Sequence, residues 1–354
     1  MGDDLVPTAL PPDVLLMQLI FGKQITYSLA AMARLGIADH MGATPISIET
    51  LAEKVEAHGP SLYRVMRMLA SVGVFREAGR KFALTPVGEL LRSDQKNSAR
   101  YRAMLRGDEW TTRAYEHFVD CVRTGEDGVT KAYGKNMFQL LAERPDQADT
   151  FHRAMTDSSA ISGKAILAAY DFSGIKRLAD IGGGHGSFLA SILRQYPRLQ
   201  GVVYDLPEVL ATAPSSQFTG CEDRIHLEAG SFFARVPQNC DAYVLKHIIH
   251  NWSDDDCIRI LTLLREQLPA HGRVLICEMV IQNDPGPAPA KMLDIEMLVM
   301  TAGGKERSPE EFRDLLSSAG LRLGRIVPTP SPLCVVEALA GLGRSDQFKS
   351  ADKV

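Results

Sequence analysis

The sequence predicts an α/β protein in which a doubly wound parallel sheet follows a mainly helical domain. Three observations point to this class. From position 178 onward, short apolar runs alternate with helical stretches, which is typical of a parallel sheet with helices on both faces. A glycine cluster ends the first apolar run, and a helical apolar pattern begins immediately after it. Before position 171, the chain shows helical periodicity and a single short hairpin.

The composition is that of an ordinary globular protein. With 354 residues, of which 45% are hydrophobic and 23% charged, the chain can bury one large and one smaller core, or two of middling size. The net charge of −4 gives no sign of a polyanionic partner. The six cysteines are scattered, without C-x-x-C or His/Cys spacing for a metal. We therefore expect reduced thiols and no bound metal.

The start of the chain and its hydropathy bear on localisation. Residues 1–6 are acidic rather than basic, which argues against a signal peptide, and Val6 stands where a myristoylation signal has Ser or Thr. No apolar run approaches the roughly 18 residues of a membrane span. We expect a cytoplasmic protein without a membrane partner.

Residues 1–100 predict a winged-helix domain. Its last helix carries Arg64 and Arg67, which could face DNA phosphates, but it also carries several apolar residues in surroundings of mixed charge. A subunit interface therefore explains this helix better than nucleic-acid binding does. The predicted elements are helices over Val14–Met32, Ile48–Val55 and Ser61–Val72, with Ser61 as an N-cap, and two strands, 74–77 and 81–84, about a turn at Gly79.

The apolar helix over Val14–Met32 is more than so small a domain can bury by itself, and it predicts an obligate homodimer. Residues 101–170 form a predicted helical linker whose aromatic side chains serve the core, with a subset available to line an apolar pocket. Residues 171–343 hold the sheet, and the polar tail, 344–354, is predicted to be disordered. The predicted strands are Leu178–Ile181, Val202–Tyr204, Ile225–Leu227, Ala242–Lys246 and Val274–Glu278.

The spacing of the glycine cluster distinguishes two classes of nucleotide site. Dinucleotide folds use G-x-G-x-x-G, which would require glycine at position 187, but that residue is Ser187. The glycines fall instead at 182, 184 and 186, the G-x-G-x-G spacing of S-adenosylmethionine (SAM) sites. A plain tight turn is the alternative. The cluster favours a Rossmann-like sheet that binds SAM.

A second strand ends in Asp205, within Tyr204-Asp-Leu-Pro. A carboxylate at the end of a strand beside the first can accept hydrogen bonds from both hydroxyls of a ribose. Asp205 could instead cap the next helix or start a turn before Pro207. With the glycine cluster upstream, the ribose role is favoured.

Polar residues also follow the later strands. His247 and His250 lie beyond the fourth strand, Glu278 ends the fifth, and Glu306 precedes a helix with Ser308 as its predicted N-cap. These ends meet at the carboxyl edge of a parallel sheet. A histidine approached by two carboxylates forms a general base, because the acids fix its tautomer and stabilise the imidazolium. A core histidine and two helix-capping acids remain the alternative.

Four motifs make the chain similar to the caffeate and hydroxyindole O-methyltransferase family, the larger, metal-independent class of SAM-dependent enzymes. They are DIGGGHG at 180–186, YDLP at 204–207, LKHIIHNWSD at 245–254 and GGKERS at 303–308. The resemblance covers nearly the whole chain. It implies a winged-helix dimerisation domain, a homodimer, no metal, and direct transfer of a methyl group from SAM to a phenolic hydroxyl of a small aromatic acceptor in secondary metabolism.

The resemblance also assigns roles to individual residues. It makes His250 the general base, flanked by Glu278 and Glu306, whereas spacing alone does not choose between His250 and His247. The cofactor-binding residues that it implies are Asp180, Gly182, Gly184, Gly186, Asp205, Leu206, Ser231, Phe232 and Lys246. The residues that it implies for the acceptor pocket are Met155, Leu293, Met297 and Thr301.

Two positions depart from the family's pattern. Ser231 replaces an Asp that accepts from the adenine amino group, which predicts weaker SAM binding, while Phe232 can still pack on adenine. Asn251 replaces the Asp of plant members and should alter acceptor contacts more than the base.

Two other functions are compatible with the fold. A relative that uses bound SAM for hydroxylation, decarboxylation or pericyclic chemistry is disfavoured because His250, Glu278 and Glu306 are all retained. A winged-helix regulator would need a basic surplus on its recognition helix and would have no use for His250.

Overall fold

The computed structural model describes residues 11–283, 286 and 288–341. The predicted tail, 344–354, and the acidic start, 1–6, lie outside the described residues. The chain divides into two compact units, one formed by residues 1–112 and 141–157 and the other by residues 113–140 and 158–354. The domain boundaries at 100, 170 and 343 stay predictions.

The first unit contains the predicted wing. Its two hairpin strands pair antiparallel, and the two-residue strand Ile46–Ser47 adds to the hairpin, so the small sheet has three strands. The helices pack over a core that includes Ile48, Met66 and Phe82. The elements are α1 (Pro12–Ile20), α2 (Gly22–Arg34), β1 (Ile46–Ser47), α3 (Ile48–Lys54), α4 (Gly59–Ser71), β2 (Phe75–Ala78), β3 (Lys81–Leu84), α5 (Pro86–Glu89) and α6 (Arg100–Arg106).

Two details of the N-terminal prediction are wrong. The single helix over Val14–Met32 is two helices, α1 and α2, bent by 43°. They meet at Phe21, whose ψ of 5° interrupts the helix just before Gly22, a poor helix former. Ser61 is not an N-cap, because α4 begins two residues earlier, after His58. Pro60 suits that first turn, since the N–H that proline lacks would have no helical partner there.

No single helix among the described residues is long and apolar enough to cross a membrane. The bent pair α1 and α2 meets the length and composition criteria only when the two helices are taken together.

The middle of the chain is helical and contributes residues to both units. Its helices are α7 (Glu109–Tyr115), α8 (Phe118–Thr124), α9 (Gly128–Tyr133), α10 (Met137–Ala142) and α11 (Pro145–Ala169).

The second unit is built on a seven-stranded sheet in the order β6-β5-β4-β7-β8-β10-β9. Strands β4 to β8 are parallel, and β10 runs antiparallel to both β8 and β9. The α/β class is confirmed, with an added hairpin that sequence analysis missed. The strands are β4 (Arg177–Ile181), β5 (Gln200–Asp205), β6 (Ile225–Ala229), β7 (Ala242–Lys246), β8 (Arg273–Met279), β9 (Leu321–Pro328) and β10 (Leu333–Ala340).

Helices cover both faces of this sheet, and each face has its own core. On one face, Leu264 and Phe312 pack against strand residues, and on the other Leu189 and Leu193 do so. The helices are α12 (Ser187–Gln195), α13 (Pro207–Leu210), α14 (Asp254–Gln267), α15 (Pro289–Met300) and α16 (Pro309–Ser318).

The strand order reverses direction between β4 and β7, which are neighbours in the sheet. In open α/β sheets, the crevice outside the carboxyl ends of the strands at such a reversal is where ligands bind. Both polar motifs of the sequence lie at these ends, since β4 leads into the glycine cluster and β7 into His250.

Helix α1 exposes an apolar surface that predicts dimerisation. Leu16 is 58% exposed, Leu19 69% and Ile20 61%, and a patch of this kind marks an interaction surface. We expect light scattering at micromolar concentration to give twice the 38.8 kDa chain mass, and Leu19→Glu to shift the population towards monomer by burying a charge. Leu227→Glu, at a 46% exposed position on β6, is the control. A 38.8 kDa species for the unaltered protein would contradict the dimer.

Candidate active site

The glycine cluster forms a loop between β4 and α12 in which three glycines have positive φ: Gly182 at +67°, Gly184 at +58° and Gly186 at +76°. A Cβ on Gly182 would lie 2.5 Å from Ile248, and one on Gly186 2.7 Å from Val203. A Cβ on Gly184 would have nothing within 4 Å. The loop therefore packs tightly at both ends and leaves open backbone at its centre, above the N-terminus of α12.

Asp205 lies against the centre of this loop. Its Oδ2 accepts a hydrogen bond of 2.7 Å from the Gly184 N–H, and its Oδ1 accepts one of 2.7 Å from the Leu206 N–H. The N-cap of α13 is Leu206, so Asp205 does not cap that helix. Burial raises the pKa of Asp205, against the opposing effect of the two N–H donors. Each carboxylate oxygen keeps accepting capacity for a ribose hydroxyl.

Asp180 and Lys246 lie near the carboxyl ends of the neighbouring strands β4 and β7. Asp180 is only 3% exposed, with its carboxyl packed against Gly183. Burial raises its pKa to about 7, although the charge of Lys246 opposes the shift. Burial also lowers the pKa of Lys246, whose ammonium lies 5.6 Å from the ring centroid of Phe188. Asp180 therefore packs against the glycine loop from its buried side.

The segment after β6 places an aromatic ring beside the glycine loop. The Phe232 ring meets Trp252 edge to face, with centroids 6.1 Å apart, and lies within 3.6 Å of where a Cβ on Gly182 would be. Ser231 accepts a hydrogen bond of 3.3 Å from the Phe233 N–H. An apolar ring and a neutral hydroxyl thus stand at the edge of the same crevice.

Open glycine backbone, a carboxylate with spare acceptors and an aromatic ring fit the parts of SAM. The ribose hydroxyls suit Asp205, the adenine suits the Phe232 ring, and the N-terminus of α12 suits the carboxylate of the methionine moiety. Of the residues predicted for the cofactor, Asp180 and Gly186 are buried, and the others are at least partly exposed.

His250 lies on a short 3₁₀ turn, Ile249–Asn251, that follows β7. Its Nδ1 is 2.6 Å from Glu306 Oε1, and its backbone N–H donates a hydrogen bond of 3.0 Å to Glu278 Oε1. All three residues are buried, with exposures of 6% for His250, 1% for Glu278 and 2% for Glu306. The structure therefore brings the three together, with Glu306 on the ring and Glu278 on the backbone.

The contact with Glu306 sets the tautomer of His250. With its Nδ1 proton directed to the carboxylate, the ring has Nε2 as its proton acceptor. Burial lowers the pKa of His250, but the hydrogen bond to Glu306 and the charges of Glu278 and Glu306 outweigh this, so the pKa lies above 6.5. Burial raises the pKa of Glu278. Glu278 Oε2 and Glu306 Oε2 have no hydrogen-bond partner among the described residues, so each can accept one from a ligand or water.

His247 does not share a helix face with His250. It has a φ of +57°, unusual for a residue with a side chain, and the 3₁₀ turn begins two residues later. The two rings are 5.2 Å apart at their centroids. Burial and the charge of His250 lower the pKa of His247 well below its ordinary value. His247 is therefore the neutral neighbour, and His250 is the histidine paired with acids.

Three of the four residues predicted for the acceptor pocket lie on one segment of the second unit. Leu293 and Met297 are one turn apart on α15, and Thr301 follows the helix with its Oγ1 donating a hydrogen bond of 2.7 Å to the Met297 carbonyl. Met155 is on α11, in the part of that helix assigned to the first unit.

Sequence reasoning missed three residues that shape this site. Asp294 on α15 accepts the Glu306 N–H at 2.9 Å, and Gly304 lets its loop approach the His250 turn, since a Cβ there would lie 2.4 Å from the His250 carbonyl oxygen. Arg307 is buried directly after Glu306. The signal for Gly304 and Arg307 was their place in the GGKERS motif.

No group of three His, Cys, Asp or Glu side chains that could hold a metal ion occurs within the described ranges of the chain.

Comparisons with known proteins identify the family of the chain. Residues 115–322 match the O-methyltransferase domain model and residues 17–94 the O-methyltransferase dimerisation domain model. The chain is 39% identical to phenazine O-methyltransferase PhzM of Lysobacter antibioticus over 332 residues, which is 93% of this chain and 97% of that protein. It is 36% identical to the mitomycin biosynthesis 6-O-methyltransferase of Streptomyces lavendulae over 307 residues, 86% and 87% of the two chains.

The structure also resembles an O-methyltransferase from neocarzinostatin biosynthesis that was solved with SAM and 2-hydroxy-5-methyl naphthoic acid. The TM-score is 0.78 at 29% identity, and the match covers 92% of this chain and 98% of that one.

Fold and crevice together define a SAM-binding methyltransferase. The chain belongs to the O-methyltransferase family, as a SAM-dependent enzyme of secondary metabolism. The predicted family, fold class and cofactor are confirmed, and the matched dimerisation domain indicates a homodimer.

The place of Asp205 predicts its contribution to SAM binding. Asp205→Asn removes the charge and keeps one acceptor for the Gly184 N–H, so we expect binding of SAM and of S-adenosylhomocysteine to weaken by about 10- to 150-fold, as for a lost charged hydrogen bond of ~1.5–3 kcal/mol. Isothermal titration calorimetry measures this, with Glu208→Gln on α13 as the control. Unchanged affinity in Asp205→Asn would remove Asp205 from the cofactor site.

Proposed function

We propose that the protein transfers the methyl group of SAM to a phenolic hydroxyl of a small aromatic acceptor, with His250 as the general base. The observation that carries the proposal is the buried contact of 2.6 Å between His250 Nδ1 and Glu306 Oε1. This contact leaves Nε2 as the proton-accepting atom of a ring held in one orientation.

A phenol needs such a base. With a pKa of about 10, it is almost fully protonated at neutral pH and is a weak nucleophile in that form. When bound, SAM supplies a sulfonium methyl group that is open to displacement. As the acceptor oxygen forms its bond to the methyl carbon and the bond to sulfur breaks, His250 Nε2 takes the hydroxyl proton. Glu306 and Glu278 stabilise the resulting imidazolium by hydrogen bonding and charge.

The acceptor is proposed to bind against Leu293, Met297 and Thr301 of the second unit. Met155, on the part of α11 assigned to the first unit, stays a separate proposal as an acceptor-pocket residue. Leu293 and Met297 offer an apolar face, and Met297 is only 7% exposed. Apolar lining with few polar groups suits a flat aromatic ring. The naphthoic acid bound by the neocarzinostatin enzyme supports this chemical class.

For the cofactor, we propose contacts from Gly182, Gly184 and Gly186 to the methionine moiety, Asp205 and Leu206 to ribose, and Ser231 and Phe232 to adenine. Asp180 and Lys246, at the carboxyl ends of β4 and β7, are also proposed to bind the cofactor. We further propose a cytoplasmic enzyme without nucleic-acid or membrane partners, which the net charge of −4 supports.

The first test replaces the base. We expect His250→Ala to lower kcat by about 10²-fold or more while leaving the affinity for S-adenosylhomocysteine unchanged, because a general base acts in the transition state. The assay is methyl transfer to the best acceptor from a mass-shift screen of phenolic compounds, beginning with 2-hydroxy-5-methyl naphthoic acid.

His247→Ala is the matched control, since it removes a neighbouring imidazole that has no contact with the acids. We expect it to alter cofactor affinity or stability more than kcat. Near-full turnover in His250→Ala would overturn the proton-abstraction role and leave an acceptor that is already ionised, or chemistry other than methylation.

The second test follows the pH dependence of kcat/KM. His250 accepts a proton only when neutral, so activity is lost as the pH falls through its pKa. Because that pKa is raised, kcat/KM should begin to fall on acidification at a pH above 6.5, the ordinary pKa of histidine. Glu306→Gln removes a charge and an acceptor that raise the pKa of His250, so we expect the fall in kcat/KM to move to lower pH, with reduced kcat. Glu310→Gln, at an exposed acid nearby, is the control and should leave the pH profile unchanged. An unchanged pH profile in Glu306→Gln would contradict the pairing of His250 with Glu306.

A further inference from the structure

We infer that Arg307 is a positioning residue whose buried guanidinium fixes the backbone around His250 and Glu306 and balances the charge of the two acids beside the base. The inference rests on the proposed role of His250. Arg307 takes no part in proton transfer itself, and its effect reaches the reaction through the residues that it holds.

The guanidinium binds the carbonyl groups that precede both members of the pair. Its Nη1 donates hydrogen bonds of 3.3 Å to the carbonyl of Ile249, the residue before His250, and of 3.3 Å to the carbonyl of Lys305, the residue before Glu306. One rigid group therefore sets the distance between the two backbone segments on which the contact of 2.6 Å depends.

A third hydrogen bond from the guanidinium binds the backbone on the C-terminal side of His250. Nη2 donates at 3.3 Å to the carbonyl of Trp252, so Arg307 binds the backbone both before and after His250. Nη2 also contacts Asp254 Oδ1 at 2.7 Å, and Nε contacts the same oxygen at 3.1 Å. A guanidinium has five N–H donors in a rigid plane and can serve these separated acceptors at once, whereas a lysine ammonium has three donors on a single nitrogen atom.

The backbone of Arg307 joins the strand that carries Glu278. The Ile281 N–H donates a hydrogen bond of 3.0 Å to the Arg307 carbonyl, and Val280 forms an isolated parallel bridge with Arg307. The segments that bear His250, Glu278 and Glu306 therefore all meet at this one residue.

Charge gives Arg307 a second effect on the base. Glu278 and Glu306 are two buried acids beside one imidazole, and unbalanced buried charge is costly. Arg307 is a permanent cation in this cluster, and its charge lowers the pKa of His250, against the stronger upward effect of the acids. The charged and titratable groups facing His250 are Glu278, Glu306, His247 and Arg307, and those facing Arg307 are Asp254, Cys257 and Glu278.

Two variants separate the two effects. Arg307→Lys keeps the charge and loses the planar set of donors, so we expect kcat to fall by about 10-fold or more and the pKa of His250 to fall, because the contact with Glu306 that raises it is weakened. Arg307→Met loses both the donors and the charge, so we expect a larger loss of kcat and a His250 pKa above that of Arg307→Lys.

The pKa of His250 is measured directly by NMR titration of histidine-labelled protein with S-adenosylhomocysteine bound, the signal being identified by its loss in His250→Ala. Turnover is followed with the phenolic acceptor from the mass-shift screen. Arg313→Met, on the exposed side of α16, is the control and should leave both readouts unchanged.

A His250 pKa in Arg307→Met no higher than that in Arg307→Lys would overturn the charge effect, and an unchanged kcat in Arg307→Lys would overturn the positioning effect. If Arg307→Met does not fold, Arg307→Lys alone tests the inference, because full turnover without the planar guanidinium donors would reject it. Full activity in His250→Ala rejects the proposed function instead, whatever the Arg307 variants do.

Discussion

The contact between His250 and Glu306 is the interaction on which the site depends. It buries an acid and an imidazole together, and a buried carboxylate is tolerated only where other groups satisfy it. His250 is the partner of Glu306 Oε1, whereas Glu306 Oε2 has no partner among the described residues and can accept a hydrogen bond from a ligand or water. The surrounding chain holds the backbone of the pair: Asp294 accepts the Glu306 N–H, and Arg307 donates to the carbonyls before His250 and before Glu306. The site is thus a network of contacts between different segments.

The topology of the sheet explains why the proposed base and the proposed cofactor residues lie close together although they are distant in sequence. Strands β4 and β7 are hydrogen-bonded neighbours, and one leads into the glycine loop while the other leads into His250. Ile248 belongs to both halves, because its side chain packs against Gly182 while its backbone enters the turn that carries the base. A substitution at Gly182 would therefore displace Ile248 and, with it, the turn that carries His250.

The sequence could predict what local pattern determines. Strands β4, β5, β7 and β8 are buried apolar runs with a charged residue at or next to the carboxyl end, and this pattern is sufficient to find them. The β9–β10 hairpin was not predicted because Gly324 and the charged residues of β9 interrupt the alternation of polar and apolar residues that is typical of a strand. The burial of Arg307 was not predicted for another reason. Residues 303–308 are a polar segment, and only the tertiary structure shows which of its charged side chains is buried. The choice of His250 over His247 came from motif resemblance, since no local rule distinguishes them.

The structure adds a physical reason for that choice. Burial disfavours the charged form of both imidazoles, but only His250 has carboxylates to offset it, so the pKa values of the two rings are driven apart. A cation on His250 then disfavours a second cation on His247, whose ring centroid is 5.2 Å away. A proton taken by His250 therefore stays on His250, next to the acids that stabilise it. The positive φ of His247 fits this arrangement, since strained backbone persists where the surrounding structure requires a particular placement. The two pKa values therefore move in opposite directions, and His250 is the more basic of the two imidazoles, as its proposed role requires.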